Sequence, residues 1–225
     1  MTTTEAGPPD APARETRGRR RRTPLGDHVA RTVSSLQARL LRDPPQPQAV
    51  SALARLRRAI GRDPGFDYTL EEYLSVPDEL LETRQIEPAT DQDYAVHDAV
   101  SLYALHQQSR AERMHVDGRG LGRAVADLVR TSNGPDGIRR RFAALGTAST
   151  YHESIHHLRG LITMLRGHQI PLDYGLLAED LCTLRRPDRR QQVQAIWGRE
   201  FFRSRPRDTT DPDSSSVDTS EETPA

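Results

Sequence analysis

Apolar residues recur along most of the chain at the three- and four-residue spacing of an amphipathic helix. Leu53, Leu56 and Ile60 show this spacing just before a glycine that can end a helix. We find no run of alternating β-branched residues bounded by turns, which is the pattern of a strand. The sequence therefore predicts an all-α fold, a helical bundle of about eight or nine helices in two small lobes.

Prolines, glycines and capping residues divide this pattern into separate helices. Asp27 can cap a first helix that runs to about Arg42, where two prolines follow. Thr90 and Asp93 have the spacing of a capping box, at the start of a long helix that should end near Arg113. The predicted helices cover 27–42, 47–61, two short pieces at 69–74 and 77–82, then 90–113, 120–131, 135–145, 150–167, 173–185 and 188–203.

Both ends of the chain have a composition that cannot form a core. Residues 1–22 are rich in Pro, Thr, Gly and Arg, and residues 206–225 are rich in Asp, Glu, Ser and Thr. Such segments bury too little apolar surface to offset the entropy of ordering, so we expect a disordered basic tail and a disordered acidic tail. Between them we place an N-terminal helical lobe at 23–115 and a C-terminal helical bundle at 116–205.

Charge is unevenly distributed along a chain whose formal net charge is zero. Residues 63–100 hold eleven acids and one base, whereas residues 110–207 hold eighteen arginines and ten acids. The C-terminal half is therefore the candidate binder of a polyanion such as nucleic acid. All 32 basic residues are arginine, which suits bidentate phosphate contacts but is equally explained by a GC-rich coding sequence.

Cys182 is the only cysteine, so no disulfide can form within the chain. The basic N-terminus is not followed by the apolar stretch of a secretory signal, and no segment approaches the roughly 20 apolar residues that span a bilayer. We expect a cytoplasmic protein that does not bind a membrane.

One short motif points to an enzyme. Residues 152–156 read HESIH, which matches the HExxH pattern of zinc peptidases. By analogy with those enzymes, His152 and His156 would bind the metal and the glutamate between them would activate water. A zinc-dependent hydrolase is therefore the alternative function.

The surroundings of this motif favour a structural explanation. Thr150 and Glu153 fit a capping box at the start of the 150–167 helix, which accounts for the glutamate without a metal. Arg159 and Ile162 stand where one class of zinc peptidases has a glycine and a third histidine. Glu179 has the separation of the third ligand in other classes, but the strands of those enzymes are not predicted here. We expect neither a metal nor another cofactor, and no catalytic residue.

Arginines lie on the polar faces of several predicted helices. In the 150–167 helix, an apolar stripe leaves Arg159 and Arg166 on one neighbouring face. Arg123 lies on the 120–131 helix, where Asp127 at i+4 would partly neutralise it. Such faces fit the tracking of phosphates, although a solvated helix face is the commonest explanation of any one of them.

Two further groups of arginines fit the same interpretation. Arg139, Arg140 and Arg141 spread around the 135–145 helix outside its apolar side. Near the end of the second helix, Arg58 lies opposite the apolar stripe and Arg57 lies on one flank of it. Because such groups occur on successive helices, we favour a nucleic-acid surface over separate solvated faces.

Aromatic residues near the end of the last helix could stack on bases. Trp197 and Phe201 lie four residues apart and next to Val193 in the helical repeat, which is more typical of a hydrophobic core. We expect Trp197 and Phe201 to be buried.

Several segments, in their order and spacing, resemble the CasB family, the small subunit of the type I-E CRISPR surveillance complex called Cascade. The resemblance spans about 50–203 and is thinner between 66 and 90. No segment in it is a catalytic signature. The segments that carry it are ALARLRRAIGRDPG at 52–65, YALHQQ at the end of the long helix, GRGLGRAVADL at 118–128, IRRRFAAL at 138–145, HHLRGLITMLRGHQIPLDYGLLAEDL at 156–181 and RRQQVQAIWGREFF at 189–202.

The resemblance implies a helical, non-catalytic subunit that helps hold the guide RNA and the target DNA strand and supports the displaced DNA strand. It implies contacts with other Cascade subunits and with a second copy of the same chain. At the matching positions the basic residues are Arg57, Arg58, Arg123, Arg139, Arg140, Arg141 and Arg159, to which the helix face adds Arg166. Such a subunit reads no sequence itself, since base pairing with the guide does so.

Overall fold

The computed structural model describes residues 20–82 and 89–204. Within these ranges the chain forms nine α-helices and two short 3₁₀ helices, which confirms the predicted all-α fold. No strand occurs in the described ranges, where His115 and Leu172 form one isolated β-bridge. The α-helices are α1 (Pro24–Leu40), α2 (Pro47–Ala59), α3 (Glu71–Leu74), α4 (Asp91–His106), α5 (Leu121–Thr131), α6 (Pro135–Thr147), α7 (Tyr151–Gly167), α8 (Tyr174–Leu184) and α9 (Arg190–Arg203).

Of the three predicted caps, Thr90 and Thr150 are confirmed and Asp27 is wrong. Thr90 caps α4 through the predicted capping box, in which the Thr90 hydroxyl accepts a hydrogen bond from the Asp93 amide at 3.2 Å and the Asp93 carboxylate accepts one from the Thr90 amide at 2.8 Å. The prediction that Asp27 caps α1 is wrong. Pro24 occupies the first turn, where a missing amide proton costs nothing, so Thr23 is the N-cap and Asp27 lies inside the helix.

Helix α4 ends earlier than predicted because of Gln107. Its side-chain amide donates hydrogen bonds to the carbonyls of Arg110 and Glu112, at 3.0 and 2.8 Å, and accepts one from the amide of Met114 at 3.1 Å. These three bonds hold residues 110–114 in a turn. Helix α4 therefore ends at His106 instead of near Arg113.

Helix α8 lies at the centre of the packing. It contacts α1, α4 and α9, and its contact with α1 depends on two glycines. A side chain at Gly175 would collide with the backbone of Gly26, and one at Gly26 would collide with the side chain of Glu179 on α8. Hydrophobic residues from both sides of position 115 join one cluster through α8. The division into lobes at 23–115 and 116–205 stays a prediction.

Two further helix pairs bear on the surfaces described below. Helix α5 packs on α9, where Gly122 lies against the backbone of Trp197, and α6 packs on α7. Trp197 and Phe201 are 1% and 6% exposed, so the prediction that they belong to the core is confirmed. Phe202 is 65% exposed.

Residues just before α1 make buried contacts, although we placed them in the N-terminal tail. The Arg20 guanidinium pairs with Asp180 on α8 at 2.6 Å, and Asp180 also accepts a hydrogen bond from the Trp197 indole at 2.6 Å. Arg22 pairs with Asp173 at 3.1 Å. The other residues of the two predicted tails, 1–19 and 206–225, lie outside the described ranges.

Among the described helices, none combines the length and the apolar composition that a membrane crossing requires.

Candidate nucleic-acid interface

The apolar stripe of α7 fixes the orientation of its arginines. Leu158, Ile162 and Leu165 are fully buried, as predicted. Arg159 is exposed and Arg166 is partly exposed, seven residues further along the same helix. Seven residues are about two turns, so the two side chains leave the same side of α7 about 10 Å apart.

Arg141 on α6 reaches the surface of α7. Its guanidinium lies against Gly160, so closely that a side chain at that position would collide with it. Gly160 follows Arg159 directly in the chain. The packing of α6 on α7 therefore adds a third guanidinium to the arginine face of α7.

Arg57 and Arg58, in the last turn of α2, extend the basic surface near Arg166. Burial lowers the pKa of the Arg57 guanidinium, and the positive charges of Arg166 and Arg58 lower it further. Arg166 is held in place by hydrogen bonds to the Gln108 side chain at 2.8 Å and to the Leu105 carbonyl at 3.4 Å. We call Arg57, Arg58, Arg141, Arg159 and Arg166 the α7 arginine row.

No member of the α7 arginine row forms an ion pair with any residue in 20–82 or 89–204. Other arginines of the protein do have acidic partners. Arg55 pairs with Asp67 at 3.0 Å, and Arg185 pairs with Asp91 at 3.0 Å. The charge of the row is therefore uncompensated within the described fold, which is the electrostatic condition for binding phosphates.

The positive charge of the row also affects a buried histidine nearby. Burial lowers the pKa of His106 to about 3, and the charge of Arg166 acts in the same direction. His106 Nδ1 lies 2.9 Å from the Tyr174 hydroxyl. His106 therefore stays neutral under physiological conditions and adds no charge to this surface.

Arg139 and Arg140 lie on the solvent side of α6, outside the row. Arg139 pairs with Asp136 at 3.1 Å, whereas Arg140 has no ion pair in the described part of the chain. Of the three arginines predicted on this helix, the structure thus brings only Arg141 against α7.

Arg123 belongs to a different surface. It lines a groove of about 930 Å³ between α5 and α9, which we call the α5–α9 groove. The predicted neutralisation of Arg123 by Asp127 is wrong, because Asp127 pairs with Arg119 and Arg130 instead. Arg123 is exposed and has no ion pair within the described ranges.

Of the arginines that line the α5–α9 groove, only Arg123 was predicted from the sequence to be a nucleic-acid contact. Besides Arg123, its arginines are Arg20, Arg119, Arg130, Arg199 and Arg203. Arg199 and Arg203 lie four residues apart on α9, so their common face could have been recognised. The contribution of Arg20 could not, because it depends on a contact between residues 160 positions apart.

The HExxH segment has the geometry of a helix start. The Thr150 hydroxyl accepts a hydrogen bond from the Glu153 amide at 3.1 Å, as the capping interpretation predicts. The Glu153 carboxylate accepts one from the Ser149 amide at 2.8 Å, and this bond lowers its pKa. In the described ranges, no group of three or more His, Cys, Asp or Glu side chains is placed to hold a metal ion.

Comparison with known proteins gives a consistent result. Residues 52–202 match the family described as CRISPR-associated protein Cse2. The crystal structure of CasB from Thermobifida fusca is similar, with 39% identity and a TM-score of 0.66 over 80% of this chain and 99% of that chain. A chain of a CRISPR RNA-guided surveillance complex shares the fold, with 18% identity and a TM-score of 0.55 over 80% of this chain and 94% of that chain. The search of curated proteins found no match.

Proposed function

Because the chain belongs to the Cse2 family of CRISPR-associated proteins, we propose that it is the non-catalytic small subunit of a type I-E Cascade complex, where it contacts guide RNA and target DNA. The α7 arginine row is the observation that carries the nucleic-acid part of this proposal. Its five guanidiniums come from three helices and have no acidic partner in the described ranges. Side chains of this kind contact phosphates and leave sequence recognition to base pairing.

The proposed effect of these contacts is to stabilise the R-loop. Exchange of a DNA duplex for an RNA–DNA heteroduplex is nearly balanced in free energy, so a few phosphate contacts shift the equilibrium. Three predicted contacts lie outside the row, namely Arg123, Arg139 and Arg140, and all three side chains are exposed. We propose that Arg123 and Arg140 also contact the target or displaced strand, whereas Arg139 already pairs with Asp136. We also propose contacts with other Cascade subunits and with a second copy of this chain, in the cytoplasm.

The isolated protein is expected to bind single-stranded DNA or RNA weakly, with a Kd on the order of 10⁻⁴ to 10⁻⁶ M at physiological salt and no sequence preference. Phosphate contacts release counterions, so the affinity should fall steeply as salt rises. Titration of labelled strands of two unrelated sequences at two salt concentrations measures both properties. Tight binding to only one sequence, unaffected by salt, would contradict the proposal.

Removal of the two histidines of the HExxH segment is expected to have little effect. His152 and His156 are exposed on α7, so His152→Ala together with His156→Ala should leave the free energy of unfolding within about 0.5 kcal/mol of the parent. Target binding by the assembled complex should also persist. Metal analysis of the purified protein is the decisive measurement. One tightly held zinc ion per chain, lost in the double variant together with a hydrolytic activity, would favour the alternative of a zinc-dependent hydrolase.

A further inference from the structure

The α5–α9 groove has excess positive charge because its acidic residues are already paired. Asp127 is shared by Arg119 and Arg130. Glu200 lies 3.5 Å from Arg20 and accepts a hydrogen bond from the Gly122 amide at 3.1 Å. The third lining acid, Asp117, pairs with Arg22 at 2.7 Å. No acid of the lining therefore remains to neutralise a further guanidinium.

Three arginines of this groove have no ion pair with any residue that the structure describes. Arg123 projects from α5, and Arg199 and Arg203 project from α9 on the opposite side. All three side chains are exposed. The α5–α9 groove thus presents three uncompensated guanidiniums on two facing helices, which is a site for a polyanionic segment.

The described chain ends inside this groove. Ser204, the last described residue, belongs to the lining, and its carbonyl accepts a hydrogen bond from Arg130 at 2.6 Å. The following segment is strongly acidic, since residues 208–225 contain six Asp or Glu residues and no Arg or Lys. From Ser204, four extended residues reach at most about 14 Å, so the first of these acids starts near the groove.

We propose that the acidic C-terminal segment, residues 208–225, binds in the α5–α9 groove of its own chain and occupies it until a nucleic-acid strand displaces it. Single exposed ion pairs are weak, but a tethered segment has an effective concentration in the millimolar range, so several weak pairs can act together. The carboxylates of the segment take the positions that phosphates would otherwise take. Binding of the segment does not depend on the proposed function, whereas its displacement by nucleic acid does.

Energy transfer within the full-length protein tests the binding directly. Trp197 is the only tryptophan and lies on α9 beside the groove, so it serves as the donor. An acceptor dye is attached to Ser215→Cys in a Cys182→Ala background. Transfer is expected to be high at about 50 mM salt and to fall at about 200 mM salt, because salt screens the ion pairs.

Two variants identify the contacts. In the first, the six acids are neutralised by Asp208→Asn, Asp211→Asn, Asp213→Asn, Asp218→Asn, Glu221→Gln and Glu222→Gln. In the second, Arg123→Gln, Arg199→Gln and Arg203→Gln remove the free guanidiniums. Both should show low transfer at either salt concentration. The matched control changes three exposed arginines that do not line the groove, Arg31, Arg42 and Arg113, to glutamine. It should show the same energy transfer as the parent at both salt concentrations.

Addition of a single-stranded oligonucleotide tests the displacement. Transfer in the parent should fall as the strand binds. If the native segment occupies the groove nine-tenths of the time, the variant with the neutralised segment should bind the strand about tenfold more tightly than the parent. Equal transfer in the parent and in the neutralised variant at low salt would overturn the binding of the segment. High transfer that persists at saturating oligonucleotide would overturn the displacement.

Discussion

Replacing Arg20 with alanine is expected to lower the free energy of unfolding by about 3 kcal/mol, the lower end of the cost of breaking a buried ion pair. Asp180 is 2% exposed and would lose the guanidinium that lies 2.6 Å from its carboxylate. The Trp197 indole would be its main remaining partner. We take the lower end because the Arg20 side chain is 24% exposed, so water already screens part of the interaction.

The loss of unfolding free energy in Arg20→Ala should depend on pH, because the charge of Asp180 does. Burial raises the pKa of the Asp180 carboxyl, whereas Arg20 and Trp197 lower it. Without Arg20 this pKa rises further. A carboxyl with a raised pKa in the folded state favours folding when protonated, and that contribution is lost as pH rises through the folded pKa. The difference in unfolding free energy between variant and parent should therefore be largest near neutral pH. It should shrink towards about pH 4, the ordinary pKa of an aspartate side chain.

Urea unfolding at several pH values measures this difference. Arg21→Ala is the matched control, because Arg21 is exposed, has no ion pair in the described ranges and belongs to the same run of arginines. Adding Asp180→Asn to the Arg20 variant should restore part of the stability, since a neutral amide can still accept the Trp197 hydrogen bond. An equal loss of unfolding free energy in Arg21→Ala, or a loss in Arg20→Ala that does not change with pH, would contradict a stabilising ion pair between Arg20 and Asp180.

The helices and their buried faces were predictable because helical periodicity is a local property. Leu158, Ile162 and Leu165 are buried as their spacing predicts, and Trp197 and Phe201 belong to the core. Competition between neighbouring signals was harder to foresee. Asp27 was predicted to cap α1, but proline suits the first helical turn, so the helix begins at Pro24 with Thr23 in the N-cap position.

The pairing of charges could be predicted only in part. On α6, Asp136 lies three residues before Arg139 and pairs with it, a contact that spacing along one helix is enough to indicate. The same rule failed for Asp127, because Arg119 from the preceding loop and Arg130 at i+3 reach it in place of Arg123. The contact of Arg141 with α7 depends on tertiary packing, which no helical pattern contains.

Removing three members of the α7 arginine row is expected to weaken target binding by an assembled complex. Arg58, Arg141 and Arg159 are exposed and make no ion pair within the described ranges, so changing them to glutamine should leave folding intact. Each lost phosphate contact should flatten the slope of log affinity against log salt by roughly one unit. At about 200 mM salt we expect binding to be weaker on the order of tenfold to a hundredfold.

The matched control for this variant is the set Arg31, Arg42 and Arg113 changed to glutamine. It removes the same number of positive charges from exposed positions outside the row. Because long-range electrostatic effects depend on net charge whereas phosphate contacts depend on position, the control should retain most of the affinity and the parental salt slope.

Co-expression of the chain with the other Cascade subunits and a guide RNA, followed by measurement of R-loop dissociation, tests the claim that this chain belongs to the complex and stabilises R-loops through the α7 arginine row. We expect the parent and the Arg58, Arg141 and Arg159 variant to co-purify equally well with the complex. R-loops of the variant should dissociate faster than those of the parent, and the difference between the two dissociation rates should narrow as salt rises. Failure of the parent to co-purify, or R-loops of the variant as stable as those of the parent at every salt concentration, would contradict the claim.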